Sequence, residues 1–199
     1  PELAGVPMRN VTLDDLSGLT RYAAERAALR ERIIAIKRDR RVHVGDRVTL
    51  VFENFETVRF QVQEMVFVER ISDIDKIREE CAVYNDLLPG ERELSATLFV
   101  EVTEQGRIAE ELHRLVGIDE FVVLEVDGNP VPGRFEAGRS RADRISAVQY
   151  LRFPLSDAVA GALGRPDCPV RLRIDHPAYQ AVATLSEAQR ASLAGDLVR

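Results

Sequence analysis

The even positions of 58–68 read Val58, Phe60, Val62, Glu64, Val66 and Val68, an apolar stripe of period two with one carboxylate set into it. That period predicts a half-buried strand over 57–70. A preceding strand over 47–53, joined through Asn54-Phe55-Glu56, completes a predicted hairpin. Placing Phe52 opposite Val58 also sets Leu50 opposite Phe60 and Val48 opposite Val62. One face is then apolar throughout, the condition that specifies register. The next pair is Asp46 with Glu64, and like charges directly opposite repel. Either the two carboxylates share a proton or a cation, or Gly45-Asp46 forms a bulge that dissolves the pair.

Helical and extended periods alternate along the rest of the chain. Leu19, Tyr22, Arg26, Leu29, Ile33 and Ile36 recur at spacings of three and four and predict a long helix with one inward face. Lys37, Arg38, Arg40 and Arg41 crowd its end, as cations complementing the helix dipole or as an anion or partner patch. Ser72 with Asp75 predicts a capping box for a helix carrying Ile74, Ile77, Cys81, Tyr84 and Leu88 on one face, stopped by Pro89-Gly90. Cys81 on that stripe reads as a small core residue. Strands are predicted over 94–102, 121–126, 145–153 and 170–175, and helices over 104–116 and 156–163. Thr184 with Glu187 predicts the cap of a last helix reaching about residue 198. Residues 128–143, rich in Pro and Gly and carrying Arg134, Arg139 and Arg141, read as a long loop, either a lid or an insertion without order. These elements make one α+β domain over 1–199, with at least six largely antiparallel strands covered by an N-terminal helix and shorter helices. Residues 1–9 read as a flexible N-terminal extension.

Composition narrows the classes. With 45% hydrophobic and 30% charged residues the chain has an ordinary globular balance. Its formal charge of −6 argues against nucleic acid and anionic membrane as partners. Trp is absent and basic residues are not interleaved with aromatics, so no stacking platform for bases is expected. Cys81 and Cys168 stand far apart outside any C-x-x-C spacing, which suits a reducing cytoplasm. No apolar run approaches the roughly 20 residues of a membrane span, and the first ten residues lack a signal-peptide pattern. Dinucleotide, P-loop, zincin and nucleophile-elbow motifs are all missing.

The candidate chemistry centres on Glu64. A buried, unpaired carboxylate costs several kcal/mol or more, so the fold must pair it or keep it protonated. In a functional role Glu64 is a general base or a metal ligand, with His43 and Glu101 as candidate co-ligands, Arg41 as a neighbour and Gln63 or Gln61 on the opposite face. In a structural role it pairs with Arg41, Arg47, Arg59 or Arg152. His113 and His176 read as a solvated residue and a turn residue.

Six segments together resemble a known family. They are Arg40-Arg41-Val42-His43-Val44-Gly45, Phe52-Glu53-Asn54, Thr57-Val58-Arg59-Phe60-Gln61-Val62-Gln63-Glu64-Met65, Tyr84-Asn85-Asp86-Leu87-Leu88-Pro89, Leu94-Ser95-Ala96-Thr97-Leu98-Phe99 and Val148-Gln149-Tyr150-Leu151-Arg152-Phe153. Over residues 10–179 the chain resembles a bacterial domain family of unknown function, number 3501. The resemblance implies genes placed beside rubrerythrin-like and iron–sulfur redox proteins, and so an accessory role in a redox or peroxide-response module. It carries no catalytic residues or cofactor. The expected activity is binding of an iron–sulfur or rubrerythrin-like partner, with arginines docking carboxylates. Arg41, Gln63, Glu101, Arg139, Tyr150 and Arg152 are the candidate ligand- or partner-binding residues. The alternative is a metal- or small-ligand-binding enzyme centred on Glu64.

Overall fold

The computed structural model describes residues 9–102, 105–136, 140–141 and 144–197. In chain order its elements are α1 (Leu19–Arg38), β1 (Arg41–Val44), β2 (Val48–Glu53), α2 (Phe55–Val68), α3 (Ile74–Asn85), β3 (Glu93–Val100) and α4 (Ile108–Arg114). There follow β4 (Val122–Val126), β5 (Asn129–Pro132), β6 (Arg134–Phe135), β7 (Ser140–Arg141), β8 (Arg144–Ile145) and β9 (Val148–Pro154). The chain ends through α5 (Asp157–Leu163), β10 (Val170–His176), β11 (Tyr179–Thr184) and α6 (Glu187–Gly195). The expected α+β domain is what forms. One sheet has the order β1-β2-β3-β9-β6 and a second β11-β10-β4-β5, with neighbours antiparallel throughout.

Alternation explains how the two sheets share one core. Val48, Leu50 and Phe52 on β2, Leu94, Ala96 and Leu98 on β3, Leu124 on β4 and Leu172 on β10 belong to a single buried cluster. The opposite face of the first sheet carries Val51, Glu53, Ser95 and Thr97, also buried, because helices cover it. α1 and α3 both pack against α2. Their own core is Val58, Val62, Val66 and Cys81, sealed by Val11 from the N-terminal segment.

The predicted hairpin of 47–53 with 57–70 does not form. Residues of its second strand are α2, so the pairing of Asp46 with Glu64 does not exist. Asn54 caps that helix, accepting from the Thr57 amide at 3.1 Å while its own amide donates to the Thr57 hydroxyl at 3.0 Å. Val58, Val62 and Val66 lie four apart, a spacing that fits a helix face as well as alternate strand positions. Their burial in the helical layer overrides the β preference of valine. β2 pairs instead with β1, through a turn at Gly45-Asp46-Arg47.

Three further expectations shift. Residues 128–143, expected as a long loop, contain β5 and β6, which turn from one sheet into the other at Gly133. The caps of α3 and α6 are Asp73 and Ser186, not Ser72 and Thr184. Arg40, expected among the cations that crowd the end of the first helix, is 1% exposed. Residues 1–8 lie outside the described residues.

Gly45 joins the two sheets. Its φ is +76°, and a Cβ there would sit 2.3 Å from the Tyr179 hydroxyl. That hydroxyl donates to the Val44 carbonyl at 2.5 Å and accepts from the Arg47 amide at 3.1 Å, tying β11 to the β1–β2 turn. Gly45→Ala should cost about 2 kcal/mol, from left-handed backbone and a displaced tyrosine. Urea unfolding of Gly45→Ala and of Gly45→Ala/Tyr179→Phe reads this, and an unchanged midpoint in the single variant refutes it.

Candidate functional site

Register across the first sheet lines up one polar row. Glu53 on β2 pairs with Ser95 on β3, Ser95 with Arg152 on β9, and Arg152 with Arg134 on β6. Two residues along, Val51, Thr97 and Tyr150 form the next row on the same face. α3 and the turn that follows it lie over this face and leave a cleft of about 530 Å³, lined among others by Glu53, Glu80, Tyr84, Arg134, Tyr150 and Arg152. That volume falls within the range of small-ligand pockets.

Glu53 is the unusual member. It is 3% exposed, yet its carboxylate forms no ion pair among the described residues. Its three donors are neutral: the Thr97 hydroxyl at 2.7 Å, the Thr57 hydroxyl at 2.6 Å and the Gln61 amide at 3.2 Å. Its backbone is held from behind by Arg40, whose guanidinium donates to the carbonyls of Phe52 at 2.8 Å and Glu53 at 3.0 Å. Arg40 in turn meets Asp196 of the C-terminal segment at 2.5 Å.

Around Glu53 the walls are built from α3 and β9. Arg152 donates to Glu93 at 2.5 Å, to the Leu88 carbonyl at 3.1 Å and to the Asp86 carbonyl, pinning the end of α3 to the sheet. Burial pushes the Tyr84 phenol upward, and the charge of Glu80 and the nearby Tyr150 add to it, so Tyr84 stays a neutral hydroxyl. Arg134 is exposed at the far end of the row and has no ion pair among the described residues.

Of the residues singled out in the sequence, Tyr150 and Arg152 line this cleft. Glu64 does not. It sits on α2 facing α1, where Tyr22 donates to it at 2.5 Å and Arg26 grips it with two bonds of 2.8 and 2.9 Å. Arg26 holds its carboxyl below the usual range, burial opposes this, and Tyr22 lowers it further. The Tyr22 phenol is pushed up by burial and by Glu64. Glu64 thus has a partner, supplied by α1 and not by Arg41, Arg47, Arg59 or Arg152. Gln63 is buried and clamps both the amide and the carbonyl of Ser17, at 2.7 and 3.0 Å. His43 is exposed on β1 with its ring 2.8 Å from the Thr49 hydroxyl. Glu101 is exposed beyond β3, its amide donating to the Arg47 carbonyl at 2.7 Å. Arg41 is exposed, and its carbonyl accepts from Gln189 at 2.6 Å. Arg139 lies outside the described residues. His43, Glu64 and Glu101 are not brought together, and among the described residues no three metal-ligating side chains gather. No described helix is long and apolar enough to cross a membrane.

Sequence reasoning missed Glu53 with Thr57, Gln61 and Thr97. The available signal was Asn54 with Thr57 as a helix cap, which turns the chain at Glu53 and brings the first turns of α2 against its carboxylate.

Over residues 10–197 the chain matches a family model described as protein of unknown function (DUF3501). It is similar to a crystal structure of a novel protein of unknown function from Burkholderia pseudomallei K96243. The two share 38% identity and a TM-score of 0.89 over 96% of this chain and 100% of that one. No curated protein matches it.

Proposed function

The chain belongs to the DUF3501 family, whose function is unknown, and on that premise we propose that it is a binding protein whose cleft under α3 takes a small ligand. In the setting expected from the sequence, it would serve a cytoplasmic redox or peroxide-response module as an accessory component. The observation that carries the ligand reading is Glu53. The other acid among the described residues that is buried to a similar degree, Glu111, is met by Arg47, Arg107 and Arg114, as a structural acid should be. Glu53 has only neutral donors and borders open volume. A buried anion that a fold does not pair internally is a group held ready for something that enters.

A second reading keeps the iron–sulfur or rubrerythrin-like partner and uses the rim of the same cleft. Val83 is 65% exposed there, beside the acidic Glu80 and across from Arg134. An exposed apolar contact flanked by an arginine suits docking of an acidic protein surface.

Thermal unfolding in the presence of pooled cytoplasmic metabolites separates the two. Under the first reading, a ligand at a hundred times its Kd adds about 2.7 kcal/mol of stability, and Glu53→Gln removes the effect while leaving the unliganded protein folded. If no metabolite shifts the transition, and Val83→Glu or Arg134→Glu abolishes capture of a redox protein from native extract, the second reading replaces it.

A further inference from the structure

We propose that the ligand is an extended amphoteric molecule, with an ammonium that docks on Glu53 and a carboxylate that docks on Arg134. The inference rests on the cleft being a ligand site. An ionised carboxylate offers about four lone-pair positions, and Thr57, Gln61 and Thr97 occupy three of those on Glu53. One acceptor position is left over. A desolvated anion with no counter-ion gains more from a cationic donor than from a neutral one. At the other end of the row, Arg152 is already engaged by Glu93, so the guanidinium with its fork unfilled among the described residues is Arg134. That fork matches carboxylate or phosphate. Glu80, Asp86 and Glu136 also line the cleft and disfavour a dianionic phosphate, leaving a carboxylate as the better fit.

Distance agrees with an extended molecule. Glu53 and Arg134 are three strands apart in one row, about 14 Å between backbones at about 4.8 Å per strand. Two side chains reaching inward shorten this, so ligand charges roughly 6–8 Å apart fit the remaining span. Between them Tyr84, Leu87 and Tyr150 present ring and methylene surface that suits an unbranched hydrocarbon spacer.

The test uses ε-aminocaproate, n-hexylamine and hexanoate as probes, titrated into the labelled protein and followed by amide NMR shifts. ε-Aminocaproate should saturate the cleft and bind at least tenfold more tightly than either single-headed probe. Glu53→Gln should weaken it and hexylamine about tenfold without affecting hexanoate. Arg134→Ala should weaken it and hexanoate while sparing hexylamine. The glutamine keeps its oxygen for Thr57 and Gln61 and turns its amide nitrogen toward the Thr97 hydroxyl, which can accept from it, and each variant is first shown to unfold cooperatively. Equal affinity for all three probes, or shifts mapping outside the cleft, overturns the ligand class. If ε-aminocaproate fails while a neutral metabolite still binds in a Glu53-dependent way, only the ligand class is wrong. If no molecule binds there, the site itself falls.

Discussion

Arg40→Met should cost about 3–5 kcal/mol in denaturant unfolding at neutral pH, the scale for removing one partner of a buried ion pair. The arginine is 1% exposed and donates to the carbonyls of Phe52 and Glu53, to the Ser192 hydroxyl at 3.1 Å and to Asp196 at 2.5 Å. Methionine fills similar volume but takes the guanidinium away from two carbonyls and from the Asp196 carboxylate, which keeps only Asn54 among the partners that lower it. The pH dependence identifies the cause. Burial already pushes the Asp196 carboxyl above its ordinary value, and Arg40 opposes that push. Without Arg40 the folded-state value rises further above the unfolded one. A raised acid favours the folded state below the unfolded pKa, and that stability is lost as pH rises through the folded pKa. The variant should therefore regain part of its loss in mild acid. Adding Asp196→Leu should recover part of it at neutral pH as well. A loss under about 1 kcal/mol, or no difference between mild acid and neutral pH, would show that the pair does not hold the C-terminal helix to the β2–α2 corner.

That corner shows why the fold was more legible than the site. Local alternation is enough to find β3, β4 and β10, because each has one apolar face turned to the shared core. β1 was obscured by the arginines before it, and β11 because its inward residues beyond Tyr179 are alanines. α2 was misread because valines four apart satisfy both periods. The cleft is of another kind. Its row of Glu53, Ser95, Arg152 and Arg134 comes from four strands separated by long stretches of chain. No local period encodes that register. A glutamate at the end of a strand is ordinary in sequence, and only the fold shows that its charge has no counter-ion among the described residues. Arg152 and Tyr150 stand among the candidates in the sequence, but Arg152 reads there as a partner for Glu64, which helical geometry turns toward α1.

The two acids can be told apart by what their loss does to stability. Glu64→Gln should cost about 2–3 kcal/mol, since it breaks charge-assisted bonds from Arg26 and Tyr22 in a site only 22% exposed. Tyr22 is fully buried and loses its anionic acceptor, while Arg26 remains stacked at 5.0 Å on Phe67 without its bidentate partner. Because the folded Glu64 pKa is depressed, its contribution is full above the unfolded carboxylate pKa and fades as pH falls through the folded value. The gap between wild type and Glu64→Gln should narrow accordingly in acid and persist at neutral pH. Glu53→Gln, by contrast, removes a buried carboxylate that has no counter-ion among the described residues, and the unliganded protein should lose little stability or gain some. Chemical denaturation of both variants across pH decides between these roles. A Glu53→Gln loss as large as that of Glu64→Gln, with the same fading in acid, would make Glu53 a second structural acid and leave the cleft without its anchoring charge.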